Sequence, residues 1–335
     1  MDSGIPAIVM AGDRSAARAV YGESKVYLEI AGRALVAHVV AALQRVPEVG
    51  SVWVVGDAAR LDAVLHEESF GSELRKPLHI IEQFEDLYDN AWQTYRRTLP
   101  GAPPEGRDPE TEADLDWEVL YLSGDLPFAT PQELSEFIRE TRVTGCQYGI
   151  GMSAEPSLSL FHPTPQSRGV EVTYFNLREA RLKQNNLHFA KPARIGNRHY
   201  IEDMYAHRKQ REISSMLSLA WRLLRAREGT LSIALFYGII HVAGVFDRRG
   251  FRLLADWTRR FVSVERVERA LSRLMKTRIR IVTVETGGCA IDVDTEEEYD
   301  AIRDDFARLT GLVHERAEAA YGQLPLPPRN KSAAS

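Results

Sequence analysis

The chain has 335 residues, 44% of them hydrophobic and 27% charged, with a formal net charge of −5. That is an ordinary globular composition, long enough for one large domain or a domain with a sizeable addition, and it excludes an overall basic field of the kind that draws nucleic acid. Only Cys146 and Cys289 are present, which excludes a disulfide framework or a zinc cluster and fits a reduced, cytoplasmic setting, while Met1-Asp-Ser-Gly-Ile5 lacks the basic-then-apolar pattern of a secretion signal.

In chain order, Pro6–Ala11 reads as a buried parallel strand that runs into the small-residue turn Ala11-Gly12. Leu35, Val39, Leu43 and Val46 recur at helical spacing, so a helix follows Gly32. Ser51–Asp57 is a second short apolar strand and His79–Ile81 a third; Asp89 is placed to cap a helix carrying Ala91, Trp92 and Tyr95. Residues 100–116, rich in Pro, Gly and acid, read as a mobile surface loop. Trp117–Leu122 is a further buried strand, running into Ser123-Gly-Asp-Leu-Pro-Phe128, and Thr130-Pro-Gln-Glu133 opens a helix. Gln147–Met152, Glu171–Phe175, Leu187–Ala190 and Ile279–Glu285 are expected strands. Residues 201–278 read as a mainly helical, arginine-rich insert, Glu296 to about Leu312 as an acidic helix, and 316–335 as a disordered tail. Strands alternating with helices imply right-handed crossovers and a mainly parallel sheet, with one domain built from 1–200 and 279–315.

Three segments carry chemistry. A strand ending at Ala11-Gly12, then a flexible polar loop, then Lys25, suits a polyphosphate: loop N–H groups can face phosphate oxygens and the lysine adds a point charge. Asp125, beyond the end of the Val119–Leu122 strand, stands where ligands bind in open α/β sheets and where a carboxylate can hold Mg²⁺. Asp292 and Asp294 alternate with apolar residues in an extended segment, so both point to one face, and two adjacent acids repel unless a cation or donors lie between them. The plainer alternative makes Asp294 or Thr295 the cap of the helix beginning near Glu296.

Taken in order, A-G…K…A-G-R-A-L, L-S-G-D-L-P-F and A-I-D-V-D-T-E-E-E-Y resemble the MobA-like NTP transferase (nucleotidyltransferase) family, whose relatives act on sugar phosphates, methylerythritol phosphate and cobinamide phosphate. The resemblance covers about residues 6–155 and 280–308. It implies an α/β fold with a Rossmann-like three-layer mixed sheet. It also implies Mg²⁺-dependent transfer of a nucleotidyl group to a phosphorylated small acceptor, with release of pyrophosphate. By the same resemblance Ala11, Gly12 and the following loop cradle the NTP phosphates, Lys25 stabilises charge at the α-phosphate, and Asp125 holds the metal. Asp294 best matches the second metal residue, with Asp292 in reserve. The chain departs from the pattern at Asp13, where the family usually has glycine, and its loop to Lys25 is longer; the loop arginine is Arg14 or Arg18. Asp13 would repel a triphosphate unless it faces away or binds a second metal.

Gly56-Asp57 and Glu82-Gln83 through Asn90 are candidates for base contacts, though they read first as ordinary polar loops. Asn185, Asn186, Lys191, Arg194 and Arg198 concentrate donors that suit a phosphorylated acceptor, or else form a solvated basic face. Within the insert, Leu231–Phe246 is shorter than a membrane span and contains His241 and two glycines, so a buried helix is favoured; the flanking Arg208-Lys-Gln-Arg211, Arg248-Arg249 and Arg259-Arg260 give a second reading, a peripheral membrane contact through 231–260. Two further functions compete. A nucleotide-sugar glycosyltransferase favours a mid-chain Asp-x-Asp, whereas Asp292-Val-Asp294 falls late; a non-catalytic nucleotide-binding scaffold is suggested by Asp13 and the insert.

Overall fold

Ile5–Ala11 (β1) is apolar almost throughout, the pattern of a strand covered on both faces, and it lies at the centre of the sheet. The computed structural model describes residues 4–14, 19–67, 71, 73–198 and 262–326. Two small hairpins follow β1: Ala19–Val20 (β2) with Glu23–Ser24 (β3), and Glu29–Ile30 (β4) with Arg33–Ala34 (β5). Leu35–Gln44 (α1) leads to Val49–Gly56 (β6), Ala58–Leu65 (α2) and Leu78–Glu82 (β7). Leu87–Thr98 (α3), Glu112–Leu115 (α4), Val119–Ser123 (β8) and Pro131–Thr144 (α5) come next. The described chain closes with Tyr148–Ala154 (β9), Glu155–Leu158 (α6), Phe175–Asn176 (β10), Arg181–Ala190 (β11), Val264–Met275 (α7), Ile279–Val284 (β12) and Glu296–Tyr321 (α8).

The described strands form a sheet in the order β12-β9-β11-β8-β1-β6-β7, with β10 paired to β11. β1 runs parallel to β6 and β8, β11 is antiparallel to both its neighbours, and β12 is parallel to β9. The expected Rossmann-like, three-layer mixed sheet is therefore what the chain forms. One face buries Val9, Leu120, Leu122, Leu187 and Phe189 against α1 and α5, through Val39, Leu43 and Phe137. On the other face Ile8 and Val119 pack with Tyr95 of α3 and with Leu99 just past its end. Farther along that face, Met152 and Leu182 meet Val264 and Val267 of α7.

Several local expectations change. Asp86, not Asp89, caps α3: the Asp89 N–H donates to Asp86 Oδ1 at 2.9 Å, and Asp89 sits in the first turn, where a negative charge suits the helix N-terminus. Residues 100–116 are anchored, because Arg107 bonds both Asp114 oxygens at 2.8 and 2.6 Å and Thr111 with Asp114 forms a capping box for α4. Glu171–Phe175 contributes only Phe175–Asn176 to the sheet, whereas the strand expected at 187–190 begins at Arg181. The acidic helix continues past Leu312 to Tyr321, so 316–321, expected within the tail, are helical; 327–335 lie outside the described residues. Of the expected helical insert, α7 belongs to the described residues; 231–260, with its apolar stretch and proposed membrane contact, lies outside them. Among the described residues no helix is long and apolar enough to cross a membrane.

Candidate active site

The carboxyl ends of β1 and β8 lie side by side, since Met10 pairs with Ser123 and the Gly124 N–H donates to the Met10 carbonyl at 3.0 Å. Asp125 follows directly and is 1% exposed. The Ser123 hydroxyl donates to its Oδ1, and the Lys25 ammonium lies 2.6 Å from its Oδ2. The same ammonium reaches Asp294 Oδ1 at 2.7 Å. Lys25 opens a short 3-10 turn, Lys25–Tyr27, whose Val26 and Tyr27 are buried, and this fixes where its side chain starts.

Asp292 and Asp294 arrive from the other end of the chain. Ile291 and Val293 are buried at 1% and 0% exposure, so the alternating acids must face the other way, as the pattern required. Thr295 takes the capping role, forming a capping box with Glu298, which leaves the side chain of Asp294 for the site. Lys183 of β11 stands 3.4 Å from Asp292 Oδ1. One carboxylate oxygen from each of Asp125, Asp292 and Asp294 lies within 4.8 Å of the others. Three acids and two ammonium groups thus meet in one cluster.

The electrostatics follow from burial. Desolvation pushes the Asp125 carboxyl up, Lys25 pulls it back and Asp292 raises it again; the net direction is upward. Burial works against the charge on Lys25, but Asp125 and Asp294 together outweigh it and the ammonium titrates above its ordinary range. The cluster is therefore a place where adding or removing one positive charge has a large effect.

The loop after β1 is held from the far side of the strand. Gln83, just past β7, accepts from the Asp13 N–H at 2.9 Å and donates to Asp13 Oδ1 at 2.7 Å. The Asp13 carboxylate is thus bonded to an amide. Arg14 bonds the Gln83 carbonyl at 3.0 Å and Glu82 Oε1 at 2.5 Å. Asn90 is buried, its Oδ1 accepting from the Phe84 N–H at 2.6 Å. A Cβ on Gly12 would fall 2.9 Å from Asn90 Nδ2, so a side chain there would displace Asn90. Gln83 shapes the loop with its bonds to Asp13 and Arg14. Arg18 lies outside the described residues.

The acceptor candidates separate. Asn185 is 0% exposed on the core side of β11, 3.5 Å from Glu133 Oε1, while Asn186 shares the opposite face with His188. Lys191 pairs with Asp116 at 3.2 Å, and Arg194 with Glu112 at 2.5 Å and Asp116 at 3.0 Å. Arg198 sits 4.2 Å over the Trp92 ring. Lys183 and Glu133 also belong here, though no motif marks either for this site. Glu133 accepts from the Cys289 N–H at 3.3 Å with each oxygen, tying the segment after Asp125 to the turn before Asp292. Its burial pushes the carboxyl up to about 7. Gly288 packs so tightly in that turn that a Cβ would lie 2.1 Å from the Phe128 carbonyl.

No protein-family profile matches the chain. Over 118 residues it is 27% identical to the 2-C-methyl-D-erythritol 4-phosphate cytidylyltransferase of Chlorobium luteolum, a match covering 35% of this chain and 46% of that one, so the chain spans about half the length of the curated relative it matches. Among solved structures, a hypothetical transferase from Thermus thermophilus superposes with a TM-score of 0.56 at 21% identity, covering 88% of this chain and 99% of that one. A 4-diphosphocytidyl-2C-methyl-D-erythritol synthase from Anaerococcus prevotii aligns at 12% identity over 92% of this chain and 97% of that one, with a TM-score of 0.46. The chain is thus similar, over the matched part, to a nucleotidyltransferase, and its fold is shared with a transferase structure.

Proposed function

We propose that the chain is a Mg²⁺-dependent nucleotidyltransferase that moves a nucleoside monophosphate from an NTP to a phosphorylated small-molecule acceptor and releases pyrophosphate, in the cytoplasm. The convergence of Lys25 with Asp125, Asp292 and Asp294 at the carboxyl ends of the central strands carries this reading. The partial likeness to a cytidylyltransferase supports it. The MobA-like affiliation within the wider group rests on the three ordered motifs.

The residues fit a hard divalent cation. The donors are all carboxylate oxygens, close enough together to share one ion, and one of the acids is buried beside the strand ends. Bound among Asp125, Asp294 and Asp292, Mg²⁺ would supply neutralisation of phosphate charge. The protein's own groups do the rest. Small residues Ala11 and Gly12 let a polyphosphate approach the backbone, and Gln83, which accepts from the Asp13 and Arg14 N–H groups, keeps the Asp13 carboxylate bonded beside it. The ammonium of Lys25 is positioned to answer negative charge developing at the α-phosphate. A phosphate nucleophile is already ionised at neutral pH and needs no general base, in keeping with the absence of histidine from all three motifs.

The test is pyrophosphate release from each of the four NTPs, with Mg²⁺ and pooled phosphorylated acceptors. One NTP should support release, and Asp125→Asn should abolish it while the variant still folds. Release that survives Asp125→Asn, or no release with any NTP, would overturn the reading; the latter would favour a scaffold or a glycosyltransferase.

A further inference from the structure

Between α3 and the strands β8, β11 and β9 lies a pocket separate from the carboxylate cluster but adjoining it. Tyr88 and Trp92 of α3, Tyr121 of β8, Tyr148 of β9 and His188 of β11 line it, with Arg198 at one side. Met10 also lines it, and Met10 is the cross-strand neighbour of Ser123, whose hydroxyl bonds Asp125. Tyr121 precedes Ser123 by two residues, so both project from one face of β8, about 7 Å apart along the strand. The pocket and the cluster are consecutive stations on the same strands.

The lining has a definite chemistry. His188 is the cross-strand neighbour of Tyr121; its Nδ1 lies 2.9 Å from the Tyr148 hydroxyl and its Nε2 3.3 Å from the Gln184 amide. Burial brings its pKa down to about 4, so the imidazole is neutral at physiological pH. Four aromatic rings and a neutral imidazole offer flat, weakly polar walls, which suit ring stacking and poorly serve a polyol with many hydroxyls. Arg198 supplies the charge. Lys191 and Arg194 are held by Asp116 and Glu112, but among the described residues no carboxylate pairs with Arg198.

Resting on the reaction proposed above, we propose that the acceptor carries an aromatic or similarly flat apolar body next to its anionic group, and that it seats in this pocket with Arg198 as its anion contact. The acceptor, rather than the nucleotide, is assigned here because of the direction of displacement. The turn from Gly12 to Arg14 is held at the β7 end, on one side of β1, by Gln83 and Glu82. The pocket lies on the β8 side. In phosphoryl-type transfer the attacking and leaving oxygens are roughly in line. Pyrophosphate leaving toward the turn therefore implies a nucleophile arriving from the pocket side.

Calorimetric titration of the full chain with 1-naphthyl phosphate and with glycerol 3-phosphate tests this. Naphthyl phosphate should bind at least about tenfold more tightly. Arg198→Gln should weaken it by a similar factor, and Ala91→Trp, which fills the pocket from α3 without removing a charge, should abolish it. Both variants should still bind the NTP–Mg²⁺ pair as wild type does. Equal binding of the two phosphates, no binding of naphthyl phosphate, or binding indifferent to both substitutions would overturn the proposal. If Arg198→Gln does not fold, Ala91→Trp alone decides. NTP binding and its dependence on Asp125 report on the parent reaction, so either idea can fail while the other stands.

Discussion

Replacing Lys25 by methionine keeps the apolar stem and deletes the ammonium that bridges Asp125 and Asp294. The lysine side chain is 18% exposed, Asp125 1% and Asp294 49%. Removing one partner of a buried ion pair costs about 3–5 kcal/mol, because the other charge is stranded. The half-exposed contact to Asp294 adds no more than about 1 kcal/mol. Lys25→Met should therefore be about 3–6 kcal/mol less stable in urea at pH 8 with a chelator present. Lys25→Met/Asp125→Asn, which removes the stranded charge as well, should regain at least about 2 kcal/mol of that loss. The pH dependence has a definite sign. In the wild type Lys25 titrates above its ordinary value, so its contribution is intact below about pH 10 and disappears only as pH rises through the folded value. Asp125 is already raised by burial and rises further without the ammonium. A raised carboxyl favours the folded state in acid: its penalty vanishes below the unfolded value of about 3.9 and grows as pH rises toward the folded one. The deficit of Lys25→Met should thus narrow between pH 8 and pH 5. A loss below about 1 kcal/mol, or a double variant no more stable than the single one, would refute the reasoning.

Three other expectations follow from the same geometry. Gly288→Ala forces a Cβ against the Phe128 carbonyl and shifts the turn that sets Asp292 and Asp294; pyrophosphate release should fall about 100-fold, and a wild-type rate would show that the turn does not position the acids. Gln83→Ala frees the Asp13 carboxylate and loosens the phosphate loop, so KM for the NTP should rise about tenfold with kcat little changed in steady-state assays. Glu133 is raised to about 7 by burial, so its contribution is fully present below about pH 4.3 and lost as pH rises through 7. Relative to Glu133→Gln, the wild type should lose about 3 kcal/mol between pH 4.5 and 7.5, and parallel stability curves would contradict this.

The sequence exposed the parts of the site that obey a period or a boundary. Apolar strands ending at Ala11 and Ser123, and the alternation of Ile291, Asp292, Val293 and Asp294, each fix where a side chain must point, and the structure places Lys25, Asp125 and Asp294 in contact as those patterns imply. Contacts set by register were hidden. Lys183 meets Asp292 only because β11 runs antiparallel beside β8 and β9, with a register shift between Gln184 and His188. The same strand carries Asn185 into the core, where a hydrogen-bonding residue near basic neighbours had suggested a surface role. Glu133 resembled the second half of a capping box; Thr130 does accept from its N–H at 3.2 Å, but the carboxylate goes to Cys289, 156 residues away. Arg14 showed its charge and not its partner, since Glu82 is brought to it by the pairing of β6 with β7.

The bond between Lys25 and Asp294 spans 269 positions of sequence. A ribosome must therefore deliver nearly the whole described chain before the charge cluster can close. Until then Asp125 has its lysine but neither late acid. If the cluster holds a divalent ion as proposed above, its three carboxylates come together only once synthesis has passed the final strand.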